Sequence, residues 1–129
     1  MSHDDDRPAD EAGRQAELLL DRVRFDLASA GFHVAPPQPL TDEHQGGVAV
    51  YLDDDRQVTI DWLTHGRLDA AALDMVEADR LEEDVVTRYE TVLTTMNTAL
   101  GEVLHAFGYR TRRPLFGSGL TVQPPPTTP

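Results

Sequence analysis

Apolar residues recur at three- and four-residue steps between Ala9 and Ala30. Ala16, Leu19, Leu20, Val23, Leu27 and Ala30 fall on one stripe, which predicts an amphipathic helix. Gly31 stands where a helix ends in a left-handed turn. Phe32-His33-Val34 then reads as extended, before Pro36, Pro37 and Pro39 break regular structure and a polar loop follows over 41–47.

The period next changes from helical to alternating. Val48, Val50 and Leu52 alternate with Ala49 and Tyr51, and Val58, Ile60 and Trp62 alternate with Thr59, Asp61 and Leu63. Directly opposed residues of an antiparallel pair share a face, so all six large apolar residues lie together only if Val50 opposes Val58 or Ile60. An odd-length turn is required, and aspartate among Asp53-Asp54-Asp55-Arg56 tolerates the positive φ it needs.

A short helix is predicted over 69–78. Asp79 fits an N-cap, with Glu82 completing a capping-box-like pair, for a long helix reaching about Phe107. Its broad apolar face comprises Val85, Tyr89, Val92, Leu93, Met96, Ala99, Leu100, Val103 and Phe107. Gly108 closes it, and Tyr109 to Arg113 reads as a final strand. Leu27 to Val34 and Leu104 to Thr111 share one plan of helix end, glycine, aromatic and strand, explained by the chemistry of helix-to-strand joints rather than duplication.

The order α-β-β-β-α-α-β lacks regular helical crossovers. It predicts an α+β two-layer sandwich: a small antiparallel sheet with a central hairpin, packed against two longer helices and one short helix. Residues 1–8 read as an acidic disordered arm, 9–116 as a single α+β domain, and 117–129 as a Pro-rich flexible tail.

Composition removes more chemistry than it supplies. No position is lysine or cysteine, which excludes Schiff-base amines, thiolate nucleophiles, disulfides and thiolate metal sites. Isoleucine and asparagine occur once each, at Ile60 and Asn97, a bias that fits the codon usage of a high-GC bacterial genome. The formal charge of −12 and pI near 4.6 argue against nucleic acid or an anionic membrane as partner. No apolar run suits a membrane span or a signal peptide, so a cytoplasmic protein is expected.

Two faces are candidate binding surfaces. Thr91, Thr95, Thr98, Glu102 and His105 line up along the long helix, where threonine is an unusual filler of an exposed surface. The sheet's polar side carries Tyr51, Thr59 and Asp61. Glu102 and His105 make a Glu-x-x-His pair, but no second copy exists to build a di-metal site, the histidines at 3, 33, 44, 65 and 105 are scattered, and no metal or cofactor is expected. No serine sits in a nucleophile elbow, so no catalytic residue is assigned.

Leu18 and Phe25 lie off the main stripe of the first helix, as in a homodimer contact or as scattered surface residues. Arg110, Arg112 and Arg113 form the basic cluster, expected to pair with the chain's own acidic arm, or else to clamp an acidic partner. These features favour a small acidic protein-interaction or regulatory module of the adaptor, immunity or antitoxin-like kind, with another protein as partner. The alternative is a small-ligand-binding protein or enzyme using the sheet face and the threonine-rich stripe. A deep pocket joining Tyr51, Asp61 and His105 would favour that alternative.

Overall fold

The computed structural model describes residues 7–36, 45–80, 83–114 and 119–125. The elements are α1 (Arg7–Ser29), β1 (Gly47–Leu52), β2 (Val58–Leu63), α2 (Gly66–Glu77), α3 (Asp84–Ala106), β3 (Arg110–Arg112) and β4 (Leu120–Gln123). The strands form one antiparallel sheet in the order β1-β2-β4-β3. Helices α1 and α3 pack on one face of it and α2 packs on α3, giving the α+β architecture that the alternating and helical periods predict.

The hairpin register follows the parity of the apolar residues. Val50 opposes Ile60 and Leu52 opposes Val58, leaving the odd-length turn 53–57. Val48, Val50, Val58 and Ile60 are all buried there against Val23 and Leu27 of α1 and Leu100 and Leu104 of α3. Asp53 organises the turn, its Oδ1 accepting from the backbone N–H of Asp55 and of Gln57, each at 2.9 Å. The positive φ falls not on an aspartate but on Arg56, at 59°. With Asp53 committed to the start of the turn, the left-handed residue is the one that hands the chain back to β2.

The exits of α1 and α3 are both Schellman motifs, that of α3 leading into β3 and that of α1 into a segment which, read as a strand in the sequence, makes only one isolated parallel bridge, Val34 to Val48. Gly31 and Gly108 take φ of 106° and 97°. Phe32 N–H bonds the Leu27 carbonyl and Gly31 N–H that of Ala28, while Tyr109 bonds Leu104 and Gly108 bonds His105 in the same pattern. The shared plan in the sequence is therefore one capping solution used twice, each time followed by an aromatic that packs into the domain: Phe32 edge-on to Trp62, and Tyr109 buried against α1.

Several sequence expectations are corrected. The segment read as a flexible tail contains β4, a central strand in which Val122 is 2% exposed; its Leu-Thr-Val-Gln alternation is short and hidden between glycines and prolines. Asp79 is no N-cap: its φ of 57° and its N–H to the Val76 carbonyl terminate α2, whereas α3 starts after Glu83. Glu82 lies outside the described residues. The buried face of α3 also runs through Val86, Asn97, Leu100, Gly101 and Leu104, rotated from the expected face, and leaves Val92 and Phe107 exposed. Helix α3 lies between the sheet and α2, so its apolar surface is split between two neighbours. Of the arm, Arg7 and Pro8 already belong to α1, and residues 1–6, like 115–118 and 126–129, lie outside the described residues.

The two edges of the sheet are treated differently. At β1, Val48 N–H bonds the His33 carbonyl at 2.9 Å, Ala35 N–H bonds the Val48 carbonyl at 2.8 Å, and Arg24 Nη2 donates to the Val50 carbonyl at 2.9 Å. The outward Val48 N–H and C=O and the Val50 C=O of β1 are thus capped by the 33–35 segment and by α1. This geometry fixes the alternation of backbone groups across the whole sheet: those of even-numbered β1 residues point outward, so those of even-numbered β2 residues point to β4, and those of odd-numbered β4 residues point to β3.

Candidate functional site

The expected site residues separate into two surfaces with the sheet between them. On the helical side, Thr98, Glu102 and His105 of α3 line an open groove of about 430 Å³ together with Asn97, Gly101, Thr111 and Arg113, its apolar walls including Leu93, Pro114 and Leu120. His105 Nε2 lies 3.1 Å from Thr111 Oγ1, joining α3 to β3. The Thr98 hydroxyl donates to the Thr94 carbonyl of its own helix at 2.9 Å. Thr91 and Thr95 are exposed on α3 but do not line this groove.

On the opposite face, the registers place Tyr51, Thr59, Thr121 and Arg112 in one row across all four strands. Tyr51 is 43% exposed, whereas Thr59, expected at the surface, is 5% exposed. The reason is β4: Thr59 lies in a central strand, with Tyr51 on one side and Thr121 on the other. Burial, followed by the charges of Asp61 and Asp53, raises the Tyr51 hydroxyl above its ordinary pKa. Among the described residues Tyr51 and His105 lie on opposite faces, and neither groove brings them together with Asp61.

Asp61 belongs instead to a joint that the sequence did not single out. Asn97 is 9% exposed; its Oδ1 accepts from Trp62 N–H at 2.8 Å and its Nδ2 donates to Asp61 Oδ1 at 3.0 Å. β4 begins opposite Ile60, so the Trp62 amide faces a place where the strand pairing has stopped. Asn97 supplies the missing acceptor. Close by, the Thr64 hydroxyl donates to Asp69 of the first turn of α2, and burial, then Asp69 and Asp61, raises the Tyr89 hydroxyl. The signal in the sequence was a lone asparagine at helical spacing from Leu93, Leu100, Gly101 and Leu104.

A second clasp ties β3 to α1. Tyr109, 2% exposed, donates its hydroxyl to Asp26, with Arg22 one turn away holding its guanidinium 5.7 Å from the ring centroid. Burial, then the bond to Asp26 and its charge, pushes the phenol up to about 12 from 10, against a lowering by Arg22. A group whose pKa is raised on folding contributes stability that is complete below its unfolded value and lost as pH rises through the folded one. The expected result is a loss of stability between pH 10 and about 12. Tyr109→Phe should cost about 1 kcal/mol at neutral pH and flatten that alkaline loss, as read by urea unfolding at both ends of the range. An unchanged alkaline slope would show that Tyr109 does not carry it.

Along α1 lies a wider groove of about 880 Å³, bordered by Leu18, Leu19 and Arg22, by Arg56 of the hairpin, and by Val122 to Pro124. Leu18 is 56% and Phe25 is 72% exposed. Arg110, Arg112 and Arg113 are exposed, and the ion pairs among the described residues, Arg14–Glu11 and Arg80–Glu83, use none of them. The acidic arm expected to neutralise them lies, through residue 6, outside the described residues. Among the described residues no three His, Asp or Glu side chains are grouped to hold a metal, and no helix is long and apolar enough to cross a membrane. The family models, the curated proteins and the solved structures give no match to this chain.

Proposed function

We propose that the protein is an acidic interaction module, of the adaptor, immunity or antitoxin-like kind, whose function is to bind another protein. The observation that carries this reading is the pair Leu18 and Phe25. Both hold more than half of their surface in water, a helical repeat apart on one face of α1. An exposed phenylalanine beside a leucine leaves apolar area that a partner's apolar surface would remove from water, at about 25 cal/mol per Å². The groove that Leu18 borders is open, which suits a macromolecular surface better than an engulfed small molecule.

The test is a comparison of the natural chain with the Leu18→Glu/Phe25→Glu variant in affinity purification from the source organism. A partner recovered with the natural chain is expected to be lost with the variant, while thermal stability stays within about 0.5 kcal/mol. Recovery of the same partner by both chains would remove α1 as the contact. A second reading, a small polar ligand in the α3 groove, is favoured by the convergence of Thr98, Glu102, His105, Thr111 and Arg113 on one concavity. A ligand found by thermal shift whose effect His105→Ala abolishes would support it.

A further inference from the structure

We propose that the free edge of β3 is a docking site for an extended, acidic segment of a partner protein, which adds to the sheet as a further strand. This rests on the interaction-module reading and assigns it a second, independent surface. Three features of the sheet lead to it.

First, β3 is the edge left open among the described residues. The alternation set at β1 makes Arg112 and Arg110 the residues of β3 that hydrogen-bond to Thr121 and Gln123 of β4, so the N–H and C=O of Thr111 point away from the sheet. Among the described residues no backbone group bonds to them. The opposite edge is closed by His33, Ala35 and Arg24. Second, the strand is basic in an acidic chain. Of the 11 basic residues, all arginine, Arg110, Arg112 and Arg113 fall within four consecutive positions, against a net charge of −12. Arg110 and Arg112 project to the same outer face of the sheet as Thr121 and Gln123.

Third, the charge selects the occupant. Two β3 edges brought together would set arginine near arginine, which disfavours a second copy, as edge charges commonly do. An incoming strand with carboxylates at alternate positions would instead place them beside Arg110 and Arg112. Its intervening side chains would lie on the Thr111 side, toward α3. Main-chain bonds then supply affinity and the alternate side chains supply specificity. At physiological ionic strength the Debye length is about 8 Å, so the approaching segment feels mainly the arginines beside it rather than the acidic body of the domain.

The experiment uses the full chain and a fluorescein-labelled peptide, Thr-Glu-Val-Glu-Val-Glu-Thr, read by fluorescence polarisation. Saturable binding is expected, together with loss of binding in the same peptide carrying lysine for glutamate. Thr111→Pro removes the outward N–H without breaking the bonds to β4, and is expected to abolish binding while circular dichroism and cooperative unfolding are retained. Arg110→Glu/Arg112→Glu, a surface change, is expected to weaken binding about tenfold or more. Absence of binding overturns the proposal. So does binding that survives Thr111→Pro, or equal binding of a short oligothymidylate, which would mean that charge alone is recognised. None of these outcomes touches Leu18 or Phe25, so the proposal can fail while the α1 reading stands.

Discussion

Truncation after Pro114 is expected to abolish cooperative unfolding altogether. The removed segment contains β4, which pairs with β2 on one side and β3 on the other, so its loss opens both ladders. Val122, 2% exposed, and Leu120, packed against the core, leave with it. Each buried aliphatic side chain is worth about 1.5–3 kcal/mol and each net backbone hydrogen bond about 0.5–1.5 kcal/mol. Together these reach the scale of a small domain's whole stability, about 5–15 kcal/mol. β3 would then keep only its ties to the helices, the Tyr109–Asp26 bond among them. The expected readout is a thermal melt without a sigmoidal transition. The milder Val122→Asp, which places a carboxylate in the core without removing the strand, is expected to cost about 3 kcal/mol or more. A truncated chain that still unfolds cooperatively near the temperature of the full chain would show that β4 is dispensable.

That expectation reverses what the composition of the C-terminal segment implies, and the reversal shows which features a single sequence carries. Where apolar spacing is long and one-sided, the fold was legible: the α1 stripe of Leu19, Leu20, Val23 and Leu27, and the parity of the hairpin. Helix ends were legible where chemistry is local, as at Gly31 and Gly108, and not at Asp79, whose side chain suits a cap as well as the left-handed turn it makes. β4 escaped because four alternating residues between Gly119 and Pro124 carry little periodicity, and pairing with distant strands stabilises them more than propensity does. The same omission turned Thr59 into a surface residue. Of the candidate site, Thr98, Glu102 and His105 do share a groove, since one helix face brings them together. Their separation from Tyr51 depends on how α3 crosses the sheet, which helical spacing does not encode.

Asn97→Leu is expected to destabilise the protein by about 2–3 kcal/mol, although leucine is the better helix former and more apolar than the residue it replaces. Asn97 is buried, and its two ends do different work: the carbonyl accepts Trp62 N–H at 2.8 Å and the amide donates to Asp61 at 3.0 Å. Leucine has neither function, so the Trp62 amide, which faces the side where β4 has ended, would be left in a poorly hydrated joint without an acceptor. A buried donor that loses its partner carries its full desolvation cost, about 1–3 kcal/mol, which exceeds the few tenths that helix propensity returns. The effect should be local before it is global. Hydrogen exchange at the Trp62 amide should rise by more than exchange at Val50 or Ile60, and the fluorescence of Trp62, the single tryptophan of the chain, should report the loosened joint. Asn97→Asp keeps an acceptor for Trp62 but sets a second carboxylate against Asp61, and is expected to be destabilising as well. This discriminates the hydrogen-bonding role from simple volume, because asparagine and aspartate fill nearly the same space. If Asn97→Leu is as stable as the natural chain, with Trp62 exchange unchanged, the joint is held by packing alone.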